Sequence, residues 1–206
     1  MNLTTSQPPF TPENLEQQLL REHALLRGHF RLSSGLHSDT YVQCARFLRR
    51  PELAAPAAAE LARQLRAAGF APDLVVGPAM GGVVMGYELA RQLEVPGIFT
   101  ERDENGQMSL RRGFTIEPGQ QIIIAEDVVT TGKSTNEVAR LLTELGGKVL
   151  AVASLIDRTG GNAALNFPNF ALLPVTAATY APDDCPLCRA GVPVVKPGSR
   201  PEKAFS

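Results

Sequence analysis

Residues 121–135 read QIIIAEDVVTTGKST and decide the fold of this chain. Four consecutive apolar residues follow Gln121, a pattern typical of a strand that is buried on both faces of a parallel sheet. Two acids, Glu126 and Asp127, stand where this strand meets solvent. A polar loop and an amphipathic helical pattern follow, and the helix is expected to end at Gly146. The succession predicts an α/β unit with both acids at the carboxyl end of its strand.

Two neighbouring segments repeat the same transition from strand to polar turn. A short buried strand is predicted over residues 74–76, and it runs into the glycine-bearing turn GPAMGG at 77–82. Another is predicted over residues 149–156, before the turn DRTGG at 157–161. Ligands of parallel α/β sheets bind outside the carboxyl ends of the strands. We therefore expect these two turns and the loop after Asp127 to meet at one site.

The remaining pattern completes an α/β domain. Helices are predicted over residues 11–29, 51–68 and 83–93, a strand over 97–101, and an exposed hairpin or mobile loop over 102–118. Alternating strands and helices predict a mostly parallel sheet flanked by helices. We expect a single domain over residues 1–206, with the N-terminal helix and a small hood within about 1–50, the core within about 70–180 and a C-terminal tail over 181–206.

Composition restricts the class of protein. The chain has 206 residues, of which 44% are hydrophobic and 20% charged, and its net charge is −1. These values are ordinary for a globular protein and argue against disorder or a basic nucleic-acid platform. No apolar run approaches the ~18–20 residues that span a bilayer, and the N-terminus lacks the pattern of a signal peptide. Three cysteines cannot all pair, which favours a reducing, cytoplasmic location.

The loop TTGKS at residues 130–134 has the chemistry of a phosphate site. It combines hydroxyls, a lysine and a glycine directly before a predicted helix, whose free N–H groups and dipole attract anions. A Walker A loop would need a glycine five residues before Gly132, where Asp127 stands, so a nucleoside-triphosphatase motif is excluded. The alternative is a solvated loop in which Ser134 and Glu137 form a capping box.

The two acids cannot bind phosphate themselves because they would repel it. Carboxylates at this position are suited to accept hydrogen bonds from sugar hydroxyls or to hold a divalent cation. A phosphate loop beside paired acids therefore indicates a sugar phosphate as ligand.

The same segment resembles the 5-phosphoribosyl pyrophosphate signature of type I phosphoribosyltransferases. The resemblance rests on an apolar strand, two acids, two apolar residues and Thr-Thr-Gly-Lys-Ser before a helix. Three further segments are similar to the orotate-using branch of that family: FRLSSGLHSDTY at 30–41, GPAMGG at 77–82 and LIDRTGG at 155–161. The four motifs occur in the family's order and cover most of residues 25–161.

The resemblance implies a homodimeric enzyme that transfers ribose 5-phosphate from 5-phosphoribosyl pyrophosphate to orotate with Mg²⁺, which the substrate mainly holds. It implies no nucleic-acid or membrane partner. Thr130 and Arg158 would contact orotate, while Glu126, Asp127 and Arg102 would be catalytic. The residues expected to contact the sugar donor are Glu126, Asp127, Val128, Val129, Thr130, Thr131, Gly132, Lys133, Ser134, Met80 and Gly81.

The sequence departs from the family in its basic residues. The loop at 100–114, TERDENGQMSLRRGF, lacks the family's lysines and histidine. Arg102 is the best candidate for one catalytic cation, whereas Arg111 and Arg112 either supply loop charge or are solvated hairpin residues. Gly81 replaces a common lysine, Met80 an aromatic residue, and Ser33 a lysine of some relatives. The missing lysines favour one alternative, a non-catalytic sensor of the sugar donor. A purine phosphoribosyltransferase is the nearest enzyme alternative, and the hood motif and Asp157-Arg158 argue against it.

Cys185 and Cys188 form a C-x-x-C pair in the tail. Zinc would need four ligands, and the other candidates are Cys44 and three histidines. Pairing the motif across a dimer would complete four cysteines, but free or adventitiously oxidised thiols are the favoured interpretation. His37 is expected to be an exposed turn residue, with a position facing the base as the alternative.

Overall fold

The computed structural model describes residues 11–197. Its α-helices and strands, in chain order, are α1 (Pro12–Arg21), β1 (Leu25–Arg31), β2 (His37–Val42), α2 (Ala45–Leu48), α3 (Pro51–Ala67), β3 (Leu74–Pro78), α4 (Gly81–Leu93), β4 (Gly97–Arg102), β5 (Met108–Leu110), β6 (Gln121–Val129), α5 (Lys133–Glu144), β7 (Lys148–Asp157), β8 (Asn169–Pro174), β9 (Thr179–Tyr180) and α6 (Pro186–Arg189).

A six-stranded sheet forms the core, with the strand order β5-β4-β3-β6-β7-β8. Its pairs are parallel except that β5 runs antiparallel to β4. Alternate residues of β6 face opposite helical layers, because successive side chains of a strand point to opposite sides. Ile123 packs with α3 and α4, whereas Ile122 and Ile124 pack with α5. The predicted parallel sheet flanked by helices is therefore confirmed.

A second, smaller sheet lies over the carboxyl edge of the core, and we call it the hood. It consists of the antiparallel strands β1, β2 and β9. The chain after α6 also joins it, since Val195 and Phe30 form a bridge. Backbone hydrogen bonds link the Val195 carbonyl to Arg31 N–H at 2.9 Å and Val195 N–H to the His29 carbonyl at 2.9 Å. The tail therefore continues the hood up to the last described residues.

The helix predicted over residues 11–29 is wrong beyond Arg21. Thr11 caps α1 as expected, through a hydrogen bond from Asn14 N–H. The helix stops there, His23 adopts a positive φ of 53°, and β1 begins at Leu25. Pairing of β1 with β2 supplies the backbone hydrogen bonds that a longer helix would have made.

The segment predicted as a hairpin or mobile loop contains the β4–β5 hairpin, in which Thr100 pairs with Leu110. Across residues 11–197 no helix is both long and apolar enough to cross a bilayer.

Candidate active site

The three polar strand ends converge as the sequence predicts, because β3, β6 and β7 are neighbours in the sheet. Between the hood and the segments that follow β6 and β7 lies a cleft of about 720 Å³, which the GPAMGG turn after β3 does not line. Its lining comes from the hood, the phosphate loop, the segment after β7 and the tail. The lining residues are Arg31, Leu32, Ser33, Ser34, Leu36, Tyr41, Val42, Gln43, Thr130, Thr131, Arg158, Ala177, Thr179, Lys196 and Pro197.

The phosphate loop joins β6 to α5 through a left-handed glycine. Gly132 has φ +75° and is the N-cap of α5, and a Cβ there would lie 2.8 Å from Leu165 Cδ2. Being a glycine, this N-cap residue has no side chain to cap the helix. Thr131 Oγ1 accepts a hydrogen bond of 3.4 Å from Lys133 N–H, while Thr130, Thr131 and Lys133 are exposed. The helix therefore offers N–H groups of its first turn to an anion.

The capping box predicted for Ser134 and Glu137 is wrong. Ser134 lies inside the first turn and turns its hydroxyl toward Glu126, at 3.5 Å. Glu137 instead forms an ion pair of 2.9 Å with Arg102. The left-handed turn at Gly132 begins the helix two residues earlier than the capping box requires.

Glu126 is a buried carboxyl on the α5 side of β6. Only 5% of the residue is exposed, and its Oε1 accepts a hydrogen bond of 3.0 Å from the Thr135 hydroxyl. Burial, together with the charge of Asp127, raises the pKa of Glu126 to about 8, while hydrogen bonds from Thr135 and Ser134 oppose the shift. A bound cation or a hydroxyl donor would therefore stabilise the charged form of Glu126.

Asp127 points to the opposite side of β6, toward the turn between β3 and α4. A Cβ added at Gly81 would overlap the Asp127 carboxylate, so a side chain at position 81 would displace this acid. Asp127 Oδ1 accepts a hydrogen bond of 2.8 Å from Val128 N–H, and burial raises the pKa of Asp127. Met80, beside Gly81, is 83% exposed. The two acids thus serve two faces of the strand end, and Asp127 alone adjoins the GPAMGG turn.

Arg158 lies in the cleft directly after β7. Its N–H donates to the Val129 carbonyl at 2.8 Å, which ties this segment to the end of β6. Its side chain is half-buried, and the buried Nε has no hydrogen-bond partner among residues 11–197. Burial lowers the pKa of Arg158, while the negative charge of Asp39 in the hood opposes the shift. A guanidinium that lies in a cleft and has an unpaired Nε is suited to a ligand carboxylate.

Asp157 holds this arginine's loop in place, a role that the sequence analysis missed. It is 1% exposed, and its Oδ1 accepts hydrogen bonds from the backbone N–H and the hydroxyl of Thr159, at 2.8 and 2.6 Å. Its Oδ2 accepts one of 3.1 Å from Asn169 on β8. Asp157 therefore fixes the turn that carries Arg158.

The arginines of the β4–β5 hairpin do not line the cleft. Arg102 is bound to Glu137 and to the Gly106 carbonyl. Arg112 makes two hydrogen bonds to Glu101, at 2.7 and 2.8 Å, and its guanidinium lies 5.5 Å from the centre of the Phe99 ring. In this arrangement Arg112 stabilises the hairpin, and Arg102 is engaged on the outer side of α5.

Two further cleft residues escaped the sequence analysis. Tyr41 belongs to the motif at residues 30–41, but the sequence assigned it no role. No motif marks Lys196, which reaches the cleft because the tail pairs with β1. His37 is neither exposed nor a cleft residue. It is 7% exposed and packs with His29 on the hood. The expectation of an exposed turn histidine is therefore wrong, because β2 begins at His37 and the tail covers it.

Comparison with known proteins agrees with this architecture. A family model for the phosphoribosyl transferase domain matches residues 48–176. The orotate phosphoribosyltransferase of Carboxydothermus hydrogenoformans is 54% identical over 187 residues, covering 91% of this chain and 97% of that protein. That of Heliobacterium modesticaldum is 50% identical over 177 residues, covering 86% and 92%.

A solved structure extends the likeness to three dimensions. The crystal structure of orotate phosphoribosyltransferase from Aeropyrum pernix superposes with a TM-score of 0.65 at 25% identity, and the match covers 78% of this chain and 93% of that one. The family assignment rests on the polar strand ends, the loop before α5 and the sequence identity to relatives that the match covers almost completely. This chain belongs to the phosphoribosyltransferase family and, within it, to the orotate phosphoribosyltransferases.

Proposed function

We propose that this chain transfers ribose 5-phosphate from 5-phosphoribosyl pyrophosphate to N1 of orotate, giving orotidine 5′-phosphate and pyrophosphate in pyrimidine biosynthesis. The observation that carries the proposal is the half-buried Arg158, whose Nε lacks a partner in the described chain, in one cleft with the phosphate loop. Orotate is a pyrimidine with a carboxylate, so it offers that guanidinium the acceptor it lacks.

The loop at residues 130–134 is proposed to anchor the 5′-phosphate of the donor. The uncapped first turn of α5 supplies N–H donors, and the dipole of this helix of 12 residues favours negative charge at the same end. Thr130, Thr131 and Lys133 add exposed polar groups around the glycine. Anchoring the phosphate removes much of the entropic barrier, because the ribose is then held in one orientation.

Glu126 and Asp127 are proposed to bind the ribose hydroxyls. Glu126 is buried and Asp127 is partly buried at the strand end, and burial raises the pKa of each. Hydroxyl donors from a sugar favour the charged forms and so offset this desolvation. As the C1–pyrophosphate bond loosens, positive charge develops on the ribose, and two nearby carboxylates stabilise it.

The donor set also fits Mg²⁺, which prefers carboxylate, phosphate and water oxygens. The ion is proposed to bind mainly to the donor's own oxygens, with Asp127 and Glu126 as the protein carboxylates beside it. When bound it neutralises the negative charge of the departing pyrophosphate. Met80 and Gly81 border this region, and the absence of a side chain at Gly81 leaves room for the Asp127 carboxylate.

Thr130 and Arg158 are proposed to bind orotate. The bond between C1 and pyrophosphate breaks while the bond between C1 and N1 of orotate forms, and the proton of N1 passes to the departing pyrophosphate or to solvent. Arg102 stays a predicted catalytic cation, and to reach pyrophosphate it must exchange its ion pair with Glu137 for the substrate. The hairpin that carries it is exposed, which favours such an exchange.

We also propose a homodimer, supported by an apolar stripe on α4. Met80, Val84 and Tyr87 follow a spacing that places them on one helix face, and they are 83%, 45% and 66% exposed. Tyr87→Glu is expected to give a monomer in light scattering, whereas Leu145→Glu, at an exposed apolar position outside the stripe, should leave the dimer intact. Persistence of the dimer in Tyr87→Glu would exclude this face. A cytoplasmic location is proposed from the three free cysteines.

The proposed reaction is tested by the absorbance of orotate in the presence of protein, sugar donor and Mg²⁺. Adenine, hypoxanthine and uracil serve as parallel acceptors, and a chelator serves as the metal control. Loss of the orotate band that requires both donor and metal is the expected result. Turnover of a purine instead would favour the purine alternative, and donor binding without turnover of any base would indicate a sensor.

A further inference from the structure

Two histidines and two cysteines meet at the junction of the hood and the tail, outside the cleft. His29 and His37 are buried on β1 and β2, and Cys185 and Cys188 bracket the start of α6. Their four ligand atoms all lie within 4.8 Å of one another. They come from parts of the chain more than 140 residues apart in sequence. We propose that these four side chains bind one zinc ion, which fastens the tail to the hood.

Three nitrogen–sulfur distances in the cluster match a tetrahedral site. With Zn–S near 2.3 Å and Zn–N near 2.0–2.1 Å, neighbouring sulfur and nitrogen ligands should lie about 3.5 Å apart. His29 Nε2 lies 3.5 Å from Cys185 Sγ and 3.7 Å from Cys188 Sγ, and His37 Nδ1 lies 3.3 Å from Cys188 Sγ. The two nitrogens are 2.9 Å apart, a few tenths of an ångström closer than a bound ion requires.

The backbone arranges both imidazoles for this role. Arg31 and His37 are direct partners across the hairpin, and His29 lies at the register shift of β1 between Arg27 and Phe30. The ring centres of His29 and His37 are 4.8 Å apart. His29 Nδ1 donates a hydrogen bond of 2.8 Å to the Val192 carbonyl. That bond leaves Nε2 unprotonated and aimed at the thiols, which is how backbone carbonyls orient metal-binding histidines.

The one free lone pair of His29 cannot accept a hydrogen bond from all three of its neighbours at once. With Nδ1 of His29 donating to Val192, its Nε2 has one lone pair. Three groups capable of donating surround that lone pair: His37 Nδ1 and the thiols of Cys185 and Cys188. A central cation resolves the conflict, because every member then acts as a ligand. Two thiolates and two neutral imidazoles balance the charge of Zn²⁺.

A closed site of four protein ligands is structural and leaves no position for a substrate. Its effect would be to hold the tail, which carries Lys196 to the edge of the cleft. The ligands differ from the shared four-cysteine site that the sequence alone allows, because the hood of the same chain supplies two histidines. The proposal is independent of the proposed reaction and of Mg²⁺.

Metal content tests the proposal directly. The full-length protein is reconstituted with Zn²⁺, desalted, and analysed by mass spectrometry for metal and protein. We expect one zinc per chain in the wild type and close to none in Cys188→Ser, whose mutated side chain is exposed and leaves the fold intact. Cys44→Ser and His23→Gln, which change a cysteine and a histidine outside the cluster, should keep the metal. Equal zinc in the wild type and Cys188→Ser would overturn the site.

A spectroscopic probe and a labelling experiment do not depend on the folding of any variant. Co²⁺ in place of zinc should give thiolate-to-metal absorption and the visible bands of a tetrahedral ion. Zn²⁺ should also protect Cys185 and Cys188 of the wild type from alkylation, with at least a tenfold slower rate than in the metal-free protein. Octahedral Co²⁺ bands, unprotected thiols, or a Cys185–Cys188 disulfide that persists in protein purified with a reductant would each refute the zinc site.

Discussion

Replacing Arg158 with alanine separates recognition of the base from the rest of the reaction. The guanidinium is half-buried beside Thr130 and Thr131, and its Nε lacks a partner within residues 11–197. A hydrogen bond to a charged group contributes about 1.5–3 kcal/mol, and Arg–carboxylate pairs usually form two. Because part of the side chain faces solvent, we take about 3 kcal/mol for the pair. That free energy corresponds to about a hundredfold in affinity.

The assay follows orotate absorbance at saturating sugar donor, and then varies the donor at saturating orotate. Arg158→Ala should raise the KM for orotate about a hundredfold. The KM for the donor should change less than about threefold, because Arg158 lies outside the phosphate loop. Arg140→Ala is the matched control, since Arg140 lies on α5 with 73% of its side chain exposed and pairs only loosely with Glu144, at 3.9 Å.

Uracil sharpens the test because it is the same ring without the carboxylate. If Arg158 binds that carboxylate, Arg158→Ala should reduce kcat/KM for orotate and leave the low kcat/KM for uracil almost unchanged. The preference for orotate over uracil should then fall by the same hundredfold. Equal losses with both acceptors, or equal increases in KM for orotate and donor, would refute the assigned contact.

Three other substitutions examine the donor side of the cleft. Asp127→Asn should lower kcat by about a hundredfold with the fold retained by circular dichroism, because it removes a charge beside the ribose; unchanged turnover would remove Asp127 from the site. Gly132→Ala should cost about 1–2 kcal/mol of stability and raise the donor KM, since φ +75° and the close Leu165 both disfavour a Cβ. Gly69→Ala is the control, at φ +81° with open space around it: it should lose stability through the same backbone strain and leave the donor KM unchanged. The pKa of Glu126 rises from 4.5 to about 8, so the folded state holds this proton more tightly than the unfolded state does. The contribution of Glu126 to the free energy of unfolding is therefore fully present below pH 4.5 and is lost as the pH rises toward 8. The upper bound of this loss is about 5 kcal/mol. Glu126→Gln avoids the loss, so its denaturation midpoint should rise relative to that of the wild type between pH 5 and pH 9. Parallel pH profiles of the two proteins would contradict this.

Local signals account for the parts of the fold that the sequence predicted well. Residues 51–68 were predicted as helical and α3 occupies Pro51–Ala67, because its alanines and leucines give a continuous buried face. Likewise β6 is buried over Ile122–Glu126, and the acids lie at its end as predicted. The strand runs further than expected, to Val129, since it pairs with β7 as far as Asp157.

Non-local pairing accounts for the parts that the sequence did not predict. The apolar residues around Leu25 fit a helical spacing, yet this segment forms β1 because it pairs with β2. β8 was missed, since its sequence NFALLP is short and ends in proline, and it forms against β7. The opposite directions of Glu126 and Asp127 follow from strand geometry, but their different neighbours, Thr135 and Gly81, depend on the packing of α5 and α4.

The contrast between local signals and non-local pairing also separates the candidate site into two halves with different structural support. The donor half is built from contiguous loops at the ends of β3 and β6, which the central sheet holds on both sides. The base half is closed by the hood, a small sheet whose third strand, β9, has two residues and whose remaining edge is the tail around Val195. Small sheets are marginally stable without further support. The cluster of His29, His37, Cys185 and Cys188 supports this sheet, because it joins strands β1 and β2 of the hood to the tail that brings Lys196 to the cleft.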